Sequence, residues 1–232
     1  MKIWLSVGHS VLVDGEITSA DGTSQGGVNE YKYNKELVNY VANYLRSAGH
    51  TVDVIIIPEK TMPVHNSSVA EMNYKIPLEN TGNYDLAIEL HLNAFNGNAH
   101  GTEVYYKTNA GKPYAERVVN KLAQYFTNRG AIQRDNLYML RRTKAPAILI
   151  ESFFCDSKAD YEKAKNVGYD AIGKAIAEGV CNQTFTSVKP SASTGKKINY
   201  KVQVGAYNKK ENAEKMCSEL VKKGYKATVV KV

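Results

Sequence analysis

Apolar residues recur along this chain with two periods, and the two alternate. Ile3, Leu5 and Val7 fall two apart, as on one face of a strand. From Glu30 to Ala48 the spacing lengthens: Leu37, Val41, Leu45 and Ala48 form a helical stripe, and Gly49 closes it. Strand-like runs return at Val52–Ile57, Leu86–His91, Thr102–Tyr106 and Ala147–Glu151. Helical runs fall at Tyr114–Phe126, around Asp160–Asn166 and at Ala171–Cys181. This alternation predicts an α/β fold, a mostly parallel sheet flanked by helices.

After Cys181 the pattern lapses. Residues 182–197 (NQTFTSVKPSASTGKK) carry no sustained period and read as a linker. Periodicity then resumes in a small C-terminal β-α-β unit. Tyr200–Tyr207 alternates like a strand, Asn208 and Glu211 resemble a helix N-terminal cap, and Ala213, Met216, Leu220 and Val221 form one stripe. Gly224 stops the helix, and Ala227–Val232 reads as a second strand. The expected organisation is a larger domain over 1–181, a linker over 182–197 and a unit over 198–232. A unit of that size rarely folds alone and should need a partner surface.

Composition excludes several classes. With 43% hydrophobic and 23% charged residues, the chain is globular rather than disordered. No apolar run approaches the roughly 20 residues that cross a bilayer, so membrane insertion is not expected. The first residues read as a strand, not as a signal peptide. Cys155, Cys181 and Cys217 are too few and too scattered for a disulfide framework or a cysteine metal site. The net charge of +7 is unevenly placed: from Lys196 onward ten lysines face three glutamates, which accounts for the whole surplus. A basic tail on a neutral body suits an anionic partner or serves as a solubilising face. Nucleic acid is not expected, because the tail carries no recognisable readout motif.

Candidate chemistry gathers at strand ends. His9 lies just past the first strand, His91 ends Asp85-Leu-Ala-Ile-Glu-Leu-His, and Glu151 ends Pro146-Ala-Ile-Leu-Ile-Glu. Open α/β sheets bind ligands beyond the carboxyl ends of their strands, so these three side chains converge if their strands are parallel neighbours. Glu30 extends the buried stripe of the first helix. Alone it reads as a partner of the helix dipole, with Asn29 as the cap. Beside two histidines it completes a His₂Glu set of the kind that holds catalytic zinc. Glu89 shares a strand face with His91 and is either a partner of its second nitrogen or a surface glutamate. Arg141 and Arg142, just before the Glu151 strand, are either contacts for substrate carboxylates or solvated charges.

On these residues the sequence resembles the zinc-dependent N-acetylmuramoyl-L-alanine amidases of bacterial autolysins and phage endolysins. The matching segments are Ile3-Trp-Leu-Ser-Val-Gly-His9, Gly26-Gly-Val-Asn-Glu30, Asp85 to His91-Leu-Asn93-Ala94, Gly101-Thr-Glu-Val and Pro146-Ala-Ile-Leu-Ile-Glu151-Ser-Phe-Phe. The resemblance implies a Zn²⁺ site of His9, Glu30 and His91, with Glu151 as general base. It implies cleavage of the amide between N-acetylmuramic acid and L-alanine in bacterial peptidoglycan. Three positions depart from the family pattern: Ser6 stands where Asp is usual, Glu89 where Ser is usual, and Phe153 where Gly is usual. The tail is similar to a SPOR peptidoglycan-binding repeat, with one β-α-β unit where two are normal, which suggests a homodimer formed by pairing tails. Without a signal peptide, such an enzyme is expected to collect in the host cytoplasm and reach the wall by a holin-type route. Two other readings share the residues: a zinc peptidase or deacetylase acting on wall components, and a wall-binding protein without catalysis.

Overall fold

The computed structural model describes residues 1–185, 209–223 and 229. The chain divides into two compact units, Met1–Lys189 and Pro190–Val232.

The first unit is a three-layer α/β/α fold around six strands: β1 (Lys2–Val7), β2 (Thr51–Ile55), β3 (Leu86–Asn93), β4 (Thr102–Tyr106), β5 (Asn128–Gln133) and β6 (Ala147–Phe154). Their order across the sheet is β2-β1-β3-β6-β4-β5. All pairings are parallel except β4 with β6, so the mostly parallel sheet expected from the alternation is present. The helices are α1 (Glu30–Ser47), α2 (Ser67–Thr81), α3 (Lys112–Leu122), α4 (Tyr138–Arg142) and α5 (Lys158–Cys181). Helices α1, α3 and α5 pack together over one face, and α4 covers part of the other. The central strands are therefore buried on both faces, which is why they read as apolar runs.

Two apolar layers result. Ile3, Leu5, Val7, Ile88, Leu90, Ile148 and Ile150 meet the stripes of α1, α3 and α5. Trp4, Ala87, Tyr105 and Leu149 meet Met139 and Leu140 of α4. Phe153, where the family pattern has Gly, sits in the larger layer with no exposed surface. It stacks on Phe126 (centroids 5.3 Å apart) and meets Tyr33 edge-on at 5.0 Å.

Local signals set most boundaries. Asn29 caps α1 by accepting from Lys32 N at 3.1 Å, and Gly49 follows the helix at φ +83°. Gly168 leaves the helical region (φ +81°, ψ 160°) and splits α5 into the two helical runs that the spacing predicts. Three elements were not expected from the pattern: α2, β5 and α4. The helix expected to run to Phe126 ends at Leu122, and Phe126 turns inward beyond it.

In the second unit, α6 (Lys210–Lys222) coincides with the helical stripe of the tail. Of the predicted linker, Asn182 caps α5 and Phe185 is buried against Tyr44, so the first unit runs past Cys181 through Phe185. Residues 186–197, the predicted strand Tyr200–Tyr207, Asn208 and all of the second predicted strand but Val229 lie outside the described residues.

Candidate metal centre at the carboxyl edge of the sheet

β1, β3 and β6 run parallel, so His9, His91 and Glu151 leave the sheet at one edge. His91 and Glu151 are register partners, and Glu151 is also the register partner of Glu103 on antiparallel β4. Partners on adjacent strands point to one face, so Glu103, Glu151 and His91 stand side by side. A register shift just past His91 sets Asn93 opposite Phe154 and ends regular pairing there.

His9 arrives by a different route. The alternation through Ile3, Leu5 and Val7 stops at Gly8, and His9 takes a left-handed backbone at φ +66°. That conformation is uncommon for a residue with a side chain and tends to mark functional sites. It carries the ring to within 5.0 Å of the His91 ring, edge to face. Gly8 lets the two rings meet: a methyl group there would lie 2.1 Å from His91 Cε1 and 2.4 Å from Nε2. Gly8→Ala must push the His91 ring aside. Titration of the metal-free variant with zinc is expected to show at least ~10-fold weaker binding with an unchanged circular dichroism spectrum.

Glu30, at the first position of α1, reaches over the strand ends and is almost fully buried. Its Oε1 lies 2.9 Å from His91 Nδ1 and accepts from Leu92 N at 3.0 Å. Its Oε2 lies 3.2 Å from His9 Nε2 and accepts from Ala20 N at 3.3 Å. One ligand atom from each of His9, Glu30 and His91 can be chosen so that all lie within 4.8 Å of one another. The outer nitrogens have their own partners, Thr18 Oγ1 at 3.4 Å for His9 Nδ1 and Glu89 Oε1 at 3.0 Å for His91 Nε2. Each ring therefore turns one nitrogen to the shared centre, and the donor set of two imidazoles and a carboxylate fits a transition-metal dication.

Glu89 is a buried partner of His91, not a surface glutamate. Lys75 Nζ donates to its Oε2 at 2.5 Å and Ser6 Oγ donates to the same atom at 2.9 Å. Burial opposes its charge, but Lys75 and His91 outweigh that and hold the carboxyl well below the usual range. Burial likewise opposes the charge on Glu30, and hydrogen bonds from His9 and His91 overcome it. His91, with a carboxylate on each side, is raised to about 10 against the effect of burial. The opposite holds for Glu151. Burial, reinforced by Glu30, Glu103 and Glu89 against the opposing pull of His91, pushes its carboxyl up to about 8. Its Oε2 is shielded from solvent and has no hydrogen-bond partner.

The rim is fixed by two aspartates. Asp156 Oδ2 accepts from Phe95 N and Gly97 N, each at 2.9 Å, and Asp160 Oδ2 accepts from Gly101 N at 2.7 Å. These bonds pin the β3–β4 loop where it passes the end of β6, and Phe95 stands exposed on it.

The predicted residues His9, Glu30, His91 and Glu151 thus come together. Arg141 and Arg142 do not join them: Arg141 lines a shallow hollow with Lys107, Lys144 and Ala147 at the start of β6, and Arg142 lies over the Tyr138 ring. Lys75, Glu71 and Thr18 were not anticipated at all.

A parallel sheet edge with two histidines, a bridging glutamate and a half-buried carboxyl whose Oε2 has no partner has the layout of a metal-assisted hydrolase. The chain belongs to the N-acetylmuramoyl-L-alanine amidase family, which matches residues 3–182; the SPOR domain matches residues 183–232. It is similar to the catalytic domain of the CD27L endolysin targeting Clostridia difficile, at 52% identity and a TM-score of 0.75, over 80% of this chain and 99% of that one. The N-acetylmuramoyl-L-alanine amidase CwlM of Bacillus licheniformis is 26% identical over 99% of this chain and 85% of its own length. An uncharacterised protein of Clostridium perfringens is 28% identical over 82% of this chain, which spans 55% of that relative's length. Among the described residues, no helix is long and apolar enough to cross a membrane.

Proposed function

We propose that His9, Glu30 and His91 hold a zinc ion, and that Glu151 handles the proton in hydrolysis of the amide between N-acetylmuramic acid and L-alanine. The observation that carries this reading is the cluster itself: three ligand atoms around one centre, with a carboxyl on the adjoining strand left without a partner. The chemistry a zinc ion supplies when bound is Lewis acidity toward a carbonyl and toward water. Glu30 neutralises part of the charge and fixes the spacing of the two imidazoles. Glu151 takes a proton from the attacking water and returns it to the departing amine. A carboxyl raised toward neutrality suits both halves of that task.

Product analysis on purified walls tests the reaction. Free L-alanine amino termini should accumulate, with no new reducing sugar ends and no cut peptide cross-links. Cut cross-links would point to a zinc peptidase, and released acetate to a deacetylase.

The basic unit from residue 198 on is proposed to hold the enzyme to the wall, an assignment supported by the SPOR match and by its eight lysines against three glutamates. The sequence pattern of the tail supplies one β-α-β repeat where two are normal, and pairing between two tails would supply the second. Sedimentation of the full chain should then report a dimer; a monomer at micromolar concentration removes the pairing idea. Release from a host cell through a holin-type route belongs to the same proposal.

A further inference from the structure

Helix α2 turns three charged residues inward at successive four-residue steps, Glu71, Lys75 and Glu79. Buried charges are costly unless each is paired, and these three are paired in different ways. Glu79 accepts from the backbone of Lys144 (3.2 Å) and Ala145 (3.3 Å), which ties α2 to the segment before β6. The other two lead to the metal centre.

Glu71 Oε1 accepts from Ser10 Oγ and from Thr18 Oγ1, both at 2.7 Å. With its one hydrogen given to Glu71, the Thr18 hydroxyl accepts from Ser10 N at 3.1 Å and turns its second lone pair to His9 Nδ1, 3.4 Å away. Lys75 Nζ donates to Glu89 Oε2, and Glu89 Oε1 lies 3.0 Å from His91 Nε2. Two residues one helical turn apart thus each reach, through one intermediary, the outer nitrogen of a different histidine. A histidine ligand needs a lone pair on one nitrogen and a hydrogen on the other, so a fixed acceptor at the outer nitrogen sets both tautomer and ring angle.

We propose that α2 is the platform that orients both histidines of the centre: Glu71 through Thr18 and Lys75 through Glu89 are positioning residues for the metal. This rests on the reading that His9, Glu30 and His91 are its ligands. It goes further in assigning work to a helix that contributes no ligand. It also explains the polar inner face of α2, because an apolar stripe there would strip Glu89 of its lysine and Thr18 of its carboxylate acceptor, the groups that fix the direct partners of the two rings.

Metal-free full-length protein titrated with zinc against a fluorescent chelator tests the platform, with the visible spectrum of the cobalt(II) form as a second readout. Thr18→Val breaks the first arm and leaves Glu71 its Ser10 partner; Lys75→Met breaks the second, and Lys75→Arg keeps the charge. Thr18→Val and Lys75→Met should each weaken zinc binding by ~10–100-fold and alter the cobalt spectrum. The double variant should show the product of the two losses, since the arms end on different histidines. Lys75→Arg should recover most of the affinity.

A purely structural helix would move the melting temperature alone. Variants that melt earlier yet keep wild-type zinc affinity and cobalt spectrum would overturn the platform, and if Lys75→Met does not fold, Thr18→Val decides. His91→Ala in the same titration separates the two levels. If it binds zinc as the wild type does, the ligand assignment itself falls. If it loses zinc while Thr18→Val and Lys75→Met keep it, only the platform falls.

Discussion

Exhaustive chelation of the purified protein is expected to stop the release of L-alanine amino termini from cell walls, and stoichiometric zinc to restore it. The loss should reach at least ~10³-fold, because a metal that polarises the reacting carbonyl supplies several kcal/mol of transition-state stabilisation and each 1.36 kcal/mol is tenfold. The donors argue for the ion. Two imidazoles and one carboxylate suit zinc, whereas calcium and magnesium take oxygen ligands. Magnesium or calcium added to the stripped protein should therefore not restore turnover. Full activity after complete metal removal would sink the ligand assignment of His9, Glu30 and His91.

Glu151→Gln should lower kcat by about 10²–10⁴-fold, the usual share of a positioned acid–base group. Zinc content and retention on sedimented walls should stay at the wild-type level. Glutamine keeps the volume and removes only the ability to carry a proton, so a variant that still turns over at the wild-type rate would end the role given to Glu151. The same substitution has a signature in the metal-free fold. Folding raises the Glu151 carboxyl from 4.5 to about 8, so its ionised form is the disfavoured one in the native state. Below the unfolded value both states are protonated and the group has no effect on stability. As pH climbs from about 4.5 toward 8, the wild type alone loses stability. Denaturant melts of the metal-free proteins should coincide near pH 4 and separate by pH 8, with Glu151→Gln the more stable; equal stability at both pH values would contradict the burial of that charge.

What the sequence reveals and what it hides follow from one physical cause. The strands that carry the site are flanked on both sides by helices, so β1, β3 and β6 read as apolar runs and their carboxyl ends are easily placed. Helix α1 is legible because Leu37, Val41 and Leu45 form an apolar stripe. Helix α2 has an equally regular inner face at positions 71, 75 and 79, but it is built of charges, and a search for apolar periodicity passes over it. Pro77 inside α2 further masks the pattern. Strand β5 lies at the sheet edge and has no buried residue, and α4 spans only five residues.

The candidate site divides in the same way. His91 and Glu151 are placed by strand ends. Glu30 gains its standing from the two histidines it turns out to bridge. His9 lies past the end of β1, where no alternation predicts its direction, and a left-handed backbone brings its ring to His91. Ser6 and Glu89, two departures from the family pattern, are register neighbours joined by a hydrogen bond. The hydroxyl and the carboxylate have exchanged strands, and a carboxylate still faces His91. One sequence offers no sign of that compensation, because it exists only across the sheet.

Under the proposed function, the rim formed by the β3–β4 loop bears on how the enzyme meets its substrate. Asp156 and Asp160 fasten that loop to the element beneath it, so the mouth of the centre is set before anything binds. Peptidoglycan is a solid mesh that no loop can fold around. A pre-set opening lets a strand of the mesh dock sideways, and turnover should then depend on how often the head is presented to fresh bonds. On an immobile substrate, the time the tail spends at each place on the wall, under the wall-binding role proposed for it, becomes as important as the chemistry at the sheet edge.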